Sequence, residues 1–202
     1  MADWEAYKDR LASIRHEWNR AEEVIKLAEQ IGGKVVFPSV AELRYGGRRL
    51  IEALHQIGQG GSDETVTGLL QDAEFDCHRA RHDAIDSATA TIGVEVKIIA
   101  SKIGYDVILQ CHPGFPKLVA DLNSVREKIA ISRKDRFDRE AIYSTIEGDD
   151  FHKIVESYKG LMASEEMMKS MARKRRWERV INYGIGVIGL IAMIVSIVVS
   201  LS

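Results

Sequence analysis

One segment of the chain, EFDCHRARHDAID, carries four titratable side chains at a spacing that could bind a metal ion. They are Glu74, His78, His82 and Asp86. Residues four apart lie on one face of an α-helix, and two histidines so placed can share a zinc or iron ion with carboxylates as further ligands. At 100° per residue, however, this row lies roughly 80–120° from the apolar side of the same helix. We therefore expect a solvated polar face, shared with Arg79 and Arg81, and no metal or other cofactor.

A second pair with chemical potential lies in RRLIEALH, where Arg48 or Arg49 precedes His55. An arginine and a histidine could hold a scissile phosphate and move a proton. The spacing resembles the Arg-x(4–6)-His element of HEPN ribonucleases, which are also helical bundles. This resemblance covers eight residues and implies a membrane-tethered ribonuclease. That enzyme, or a metal-dependent helical enzyme, is the alternative to a membrane protein that acts without catalysis.

No other catalytic motif accompanies these two candidates. The sequence has no GxxxxGK[ST] phosphate loop, since GQGGSD lacks the lysine, and nothing resembles a nucleophile elbow. We therefore predict no catalytic residue and no enzymatic activity.

Apolar residues recur at alternating steps of three and four, which predicts amphipathic helices and an all-α fold. The first helix should end at Gly32-Gly33, and the second should begin at Ser39 with Glu42 as its capping-box partner. A third should run from about Asp63 to Lys102. Its apolar side is formed mainly by small residues, namely Leu70, Ala73, Cys77, Ala80 and Ala84.

Pro116 suits the first turn of a fourth helix, and a later helix should break near Gly160 or Ser164. The period of about 3.5 residues favours an antiparallel bundle of about four to five long helices over residues 1–170.

The C-terminal segment predicts a membrane anchor. The segment 180–202 is 23 residues long and carries no charge. A helix of that length spans roughly 34 Å, slightly more than the hydrocarbon core of a bilayer. Residues 171–179 form a basic collar before it, with Arg173, Lys174, Arg175, Arg176 and Arg179. The positive-inside rule places this collar and the N-terminal part in the cytoplasm and the C-terminus at the opposite face. Trp177 and Tyr183 should lie at the headgroup boundary.

The charge distribution indicates which partners to expect. Residues 1–172 carry 23 basic and 29 acidic side chains, a charge of −6, whereas 173–202 carry 5 and 1, a charge of +4. An acidic body argues against nucleic-acid binding, and anionic lipid headgroups are sufficient partners for the collar. Cys77 and Cys111 are expected to be reduced thiols in a cytoplasmic body.

Small and polar residues form one strip along the predicted span: Asn182, Gly186, Gly189, Met193, Ser196 and Ser200. Helices in lipid associate by close packing over small residues and by hydrogen bonds from Asn or Ser, so we predict self-association through Asn182, Gly186, Gly189, Ser196 and Ser200. The sequence thus predicts a single-pass membrane protein. It should act without catalysis, as an oligomeric scaffold or membrane-perturbing effector whose bundle senses a ligand or recruits a protein partner.

Overall fold

The computed structural model describes residues 4–134 and 137–201, without side chains for Ile191 and 194–201. A 3₁₀ turn at Trp4–Tyr7 precedes α1 Lys8–Gly32, α2 Phe37–Gln59, α3 Asp63–Ile103, α4 Tyr105–Cys111, α5 Phe115–Lys134, α6 Arg139–Thr145, α7 His152–Ala163 and α8 Glu165–Leu201. A π-helical turn at Ile146–Phe151 links α6 to α7. The residues in these ranges include no strand, and the all-α prediction is confirmed.

Most of the predicted helix ends agree with the structure. Gly33 and Gly60 follow α1 and α2 with φ of 62° and 71°, left-handed values that glycine adopts without a Cβ penalty. The bounds of α3 match the predicted third helix, and Ser164 separates α7 from α8 where a break was expected. The seven-residue helix α4 was not predicted, because such a short segment carries too few turns for a periodic signal.

The predicted start of α2 at Ser39 is wrong. The helix begins at Phe37 with Pro38 in its first turn, where the fixed φ of proline suits a helix start. Glu29 Oε1 accepts a hydrogen bond from the Val36 amide at 3.3 Å, so a side chain of α1 satisfies a donor just before the helix. Ser39 is buried instead of capping, and Glu42 pairs with Arg79.

The chain divides into two compact units, each described here by itself. The first comprises Met1–Glu95 and Val119–Val155 and is a helical bundle, as predicted. Long-range contacts give the helix directions. From α1 to α3 they join Tyr7 to Asp63 and Glu17 to Arg81, so these two helices run parallel.

From α2 to α3, Glu42 contacts Arg79 and Arg49 contacts Asp76, so α2 runs antiparallel to α3. Arg133 of α5 contacts Asp86, and Arg126 lies against Gly93, which makes α5 antiparallel to α3 as well. The first unit is therefore an up-down-up-down arrangement around α3.

The apolar side of α3 forms the centre of the first unit. Leu70, Ala73, Cys77, Ala80 and Ala84 are all fully buried, which confirms the predicted row. We call these five residues the small-residue face. A Cβ added to Gly46 of α2 would lie 3.3 Å from the carbonyl oxygen of Ala73, so the two backbones approach closely over this face. Five further apolar residues of this unit are also buried, namely Leu122, Val125, Ile129, Phe151 and Ile154.

The second unit comprises Val96–Leu118 and Glu156–Ser202. The rings of Tyr105 and Phe115 meet edge to face at 5.4 Å between centroids. Cys111 Sγ lies 3.3 Å from the sulfur of Met171, so α4 packs against the first part of α8. Phe115, Leu118, Leu161 and Met168 are fully buried and form the core of this unit.

The later part of α8 has a different environment. Its large apolar side chains are exposed from Val180 through Met193, the last residue there with a described side chain. Within the described part of the chain, no helix combines the length and the apolar character needed to cross a membrane. The span over residues 180–202 therefore stays a prediction.

Candidate functional site: a buried arginine cluster with two histidines

The most unusual polar feature of the first unit is Arg81 of α3, a fully buried guanidinium. Its Nη1 lies 2.7 Å from Glu17 Oε2, its Nη2 pairs with Glu140 Oε1, and its Nε lies 3.3 Å from Glu147 Oε2. The carboxylates come from α1, α6 and the π-helical turn. Because an unpaired buried charge is strongly unfavourable, Arg81 stays buried only while these elements pack around it.

The π-helical turn is what brings Glu147 into the cluster. Its i→i+5 pattern allows Ile146 and Phe151, five residues apart, to be fully buried together. Glu147 then faces α1, where Arg20 donates a hydrogen bond to its Oε2 at 2.8 Å. Arg20 also contacts Glu17 Oε1 at 2.8 Å, so the two arginines share the same carboxylates.

Two histidines on α3 lie beside these charges. His82 is 6% exposed, its Nε2 lies 2.9 Å from Glu140 Oε2, and its ring stacks on Tyr143 at 3.8 Å. His78 is partly buried, with Nε2 at 3.4 Å from Glu17 and Nδ1 at 3.4 Å from Glu140. The Glu140 carboxylate therefore contacts both histidines as well as Arg81.

Protonation states follow from this environment. Burial opposes ionisation of Glu140, but the hydrogen bond with His82 and the charges of Arg81 and His78 outweigh it and lower the pKa to about 2. Burial lowers the pKa of His82 despite its hydrogen bond with Glu140. At neutral pH, neutral His82 therefore donates from Nε2 to the Glu140 carboxylate, and its buried Nδ1 has no hydrogen-bond partner among the described residues.

The remaining members of the predicted row are also covered by other helices. Glu74 accepts a hydrogen bond from Ser13 at 2.6 Å and pairs with Arg10 at 3.2 Å, both from α1. Asp86 accepts a hydrogen bond from Tyr143 at 2.7 Å. The prediction of a solvated face is therefore wrong for this row.

The physical reason is that α1 and α6 pack on this side of α3 and supply the opposite charges. Of the two arginines expected in solvent, Arg81 is buried, and Arg79 stays outward beside Glu42. We call Arg81, His78, His82 and their three glutamates the ion cluster.

The ion cluster does not have the character of a metal site. Among the described residues, no group of three or more His, Cys, Asp or Glu side chains is arranged to hold a metal ion. Here the carboxylates next to His78 and His82 are engaged by Arg81, and its fixed positive charge disfavours a cation in the same place.

The structure does not bring the second predicted pair together as a catalytic site. Arg49 Nη1 lies 2.6 Å from Asp76 Oδ2 and also donates to the Asp72 carbonyl, which commits this guanidinium to α3. His55 and Arg48 are exposed. Cys77 is no nucleophile, because burial raises the pKa of its thiol to about 12. Both cysteines are free thiols, as expected.

The basic collar has two kinds of members. Arg175 pairs with Asp106 of α4, and Arg176 donates to the Lys102 carbonyl at 3.1 Å, so these two side chains fasten α8 within the second unit. The other members are exposed together with both boundary aromatics, namely Arg173, Lys174, Arg179, Trp177 and Tyr183. Sequence reasoning treated all five basic residues alike and missed this structural role.

The predicted association strip is only partly described. Asn182, Gly186 and Gly189 are exposed, and no described side chain lies within 4 Å of a Cβ placed on either glycine. Ser196 and Ser200 lie outside the residues whose side chains are described. The strip therefore stays a prediction, as does homo-oligomer formation.

Sequence reasoning also missed Glu17, Glu140 and Glu147 as members of the ion cluster. The only signal for them was an excess of acidic residues in the body, which names no partner. Comparisons with protein-family models, with curated proteins and with solved structures found no match, so the function has to be inferred from these residues and their arrangement.

Proposed function

We propose that this protein is a single-pass membrane protein that acts without catalysis, through self-association of its C-terminal helix and through ligand or partner recognition by its cytoplasmic helices. The observation that carries the proposal is the change of environment along α8. Met168 and Ala172 are buried in the second unit, whereas the described large apolar side chains from Val180 to Met193 are 54–76% exposed. A continuous apolar surface of that kind is unfavourable in water and favourable in lipid.

The collar supports the same proposal. Arg175 pairs with Asp106, and Arg176 donates to the Lys102 carbonyl. These two contacts hold α8 against its own unit just before the apolar segment begins. Arg173, Lys174 and Arg179 remain exposed to meet anionic headgroups, each contributing about 1 kcal/mol near such a surface. Trp177 lies at the level where an amphipathic ring favours the interface.

Self-association is the part of the proposal that gives the anchor a function. In lipid, helices gain little from the hydrophobic effect, so a strip of small residues matters because it allows close packing. Gly186 and Gly189 have no neighbour within 4 Å of an added Cβ among the described residues, which leaves this side of α8 available for a second copy.

A protein partner for the bundle is supported by α2. Phe37 and Ile51 are the most exposed of its large apolar side chains, and Val40 and Leu54, on the same side of the helix, are also exposed. Such a surface on one helix is typical of a recognition site for another protein.

The enzymatic alternative is less favoured, because Arg49 is engaged by Asp76 and the described residues of the ion cluster include no free nucleophile.

The experiment compares the full chain with a variant that lacks residues 180–202. We expect the full chain to stay in the membrane pellet after alkaline carbonate extraction and the truncated variant to be soluble, helical and cooperatively folded. Protease digestion of sealed vesicles should then find the N-terminal part on the cytoplasmic side. Release of the full chain by carbonate would contradict the proposal.

A further comparison separates the two classes of function. Replacing 180–202 by an unrelated single span should abolish the cellular effect while membrane attachment persists. His55→Ala should leave the effect intact. The opposite result, with the effect lost only in His55→Ala, would favour the enzyme.

A further inference from the structure

The interior of α3 contains a glycine, Gly93, where alanine would favour the helix. A Cβ at this position would overlap Nη2 of Arg126 and lie 2.6 Å from its Cζ. Arg126 of α5 therefore lays its guanidinium against the α3 backbone in a space that only glycine leaves open. Gly68, in the same helix, has no such neighbour within 4 Å.

The charge of Arg126 has no carboxylate partner among the described residues. Its neighbour on α5, Arg133, donates to Asp86 Oδ2 at 2.9 Å, and Tyr143 donates to Asp86 Oδ1 at 2.7 Å. Both oxygens of this carboxylate are thus engaged, and its charge is offset by Arg133. The guanidinium of Arg126 remains as an uncompensated positive charge.

A cavity of about 250 Å³ lies beside this guanidinium, and its polar lining consists of Arg126, Arg133, Thr89 and Asp86, whose two oxygens are the ones engaged by Arg133 and Tyr143. Thr89 is 1% exposed, and its hydroxyl has no hydrogen-bond partner among the residues that the structure describes. An interior helical threonine usually bonds to a carbonyl of the preceding turn, and a buried hydroxyl left without a bond is destabilising. The cavity is smaller than sites for drug-sized ligands but much larger than one water molecule.

We propose that this cavity binds a phosphate group, either inorganic phosphate or the head of a small phosphomonoester. Arg126 and Arg133 would donate N–H groups to its oxygens, and the Thr89 hydroxyl would donate a third hydrogen bond. Two guanidiniums from α5 and a hydroxyl from α3 suit a tetrahedral oxyanion, which presents acceptors in several directions. The site lies outside the ion cluster and adds a binding activity to the proposed anchoring function without depending on it.

Two substitutions distinguish phosphate binding from a purely structural role of these residues, because each should weaken binding without lowering stability. Gly93→Ala should preserve or increase thermal stability, since alanine favours the helix and the flexible Arg126 side chain can move away. The same change should lower phosphate affinity at least tenfold, because the guanidinium is displaced. Thr89→Val, which removes an unpaired hydroxyl, should likewise keep stability and weaken binding several-fold.

The measurement is calorimetric titration of the full chain in detergent with inorganic phosphate, at ionic strength held constant with chloride. One phosphate per chain is expected, with loss of binding in Arg126→Gln and no change in the matched control Gly68→Ala. A second titration with a short-chain, water-soluble phosphatidic acid separates the two sources of the group. Tighter binding of that ester would assign the phosphate to a lipid headgroup, and tighter binding of inorganic phosphate would assign it to a free ion. Absence of saturable binding of both ligands, or affinities unchanged by Gly93→Ala, would overturn the proposal.

Discussion

Two sides of α3 differ sharply in how they are buried. The small-residue face meets α2 through apolar contacts and close backbone approach, as at Gly46. The ion cluster meets α1 and α6 through charged groups centred on Arg81. The small-residue face removes apolar surface from water, whereas the other side buries Arg81 by compensating charge with charge while Glu140 stays 38% exposed. Loss of an apolar group leaves a cavity, whereas loss of one charged partner leaves an unpaired charge.

Removing the central guanidinium should have the largest effect. In Arg81→Met, the carboxylates of Glu17, Glu140 and Glu147 lose their shared partner, and the free energy of unfolding should fall by about 3 kcal/mol or somewhat more. Arg20 still compensates two of the three carboxylates, which keeps the loss near the low end of the usual range for broken buried pairs. Urea denaturation followed by circular dichroism measures the change.

The matched control is Arg79→Met, two residues away. This side chain is 47% exposed and its partner Glu42 is 12% exposed, so solvent screens the Arg79 charge far more than that of the fully buried Arg81, and the loss should be smaller than in Arg81→Met. Equal losses in the two variants would mean that the burial of Arg81 has no special energetic role.

Overpacking the small-residue face should have a smaller effect. Ala80→Leu forces α3 away from its neighbour and should lower the free energy of unfolding by about 1–3 kcal/mol. The same substitution at exposed Ala120 of α5 should change stability little. If Ala80→Leu costs as much as Arg81→Met, the two sides of α3 do not differ in the way inferred here.

The small-residue face could be predicted from the sequence, whereas the ion cluster could not. A row such as Leu70, Ala73 and Cys77 repeats with the helix period, so a single segment contains its own signal. The burial of Arg81 depends on Glu17 and Glu140, which lie 64 and 59 residues away in the chain. Charged residues are rarely buried without a partner, so in the absence of contact information a row of Arg and His is assigned to solvent.

The same distinction explains the errors at single elements. Ser39 is a residue type that often caps a helix. Because Pro38 favours a helix start and the Val36 amide donates a hydrogen bond to Glu29, α2 begins two residues earlier, at Phe37. The π-helical turn at Ile146–Phe151 leaves no periodic signal, because its i→i+5 pattern lasts for only one turn. Local patterns therefore identified the long helices and most of their ends, whereas tertiary contacts decided the start of α2 and the polar partners of α3.

The two sides of α3 should also fail at opposite ends of the pH scale. His82 has a pKa below its ordinary 6.5 because of burial, so the unfolded state binds more protons and stability falls as pH drops below about 6.5. Glu140, with its pKa lowered from 4.5 to about 2, adds a further loss between those values. Cys77, with its pKa raised from 9.0 to about 12, makes stability fall as pH rises above about 9.

Melting temperatures from pH 3 to 10 measure both limbs. His82→Gln should flatten the limb just below pH 6.5 without altering the alkaline one, and Cys77→Ala should flatten only the alkaline limb. A variant that flattens both limbs would contradict the assignment of each limb to one side of the helix.

The smallest expected effect concerns the strip on α8, which tests whether small residues also mark a helix contact there. On α3 the small residues are buried against α2, whereas no described residue lies within 4 Å of a Cβ placed on Gly186 or Gly189. If the strip contacts a second copy in lipid, Gly189→Leu should separate the helices and weaken association measurably. Asn182→Ala should cost less, about 0.6 kcal/mol, because that residue lies near the headgroup boundary.

Gly184→Leu is the matched control, since Gly184 is equally exposed but lies off the strip. Crosslinking in membranes ranks the three variants, and an equal effect of Gly184→Leu and Gly189→Leu would mean that small residues on α8 mark no contact, unlike those on α3.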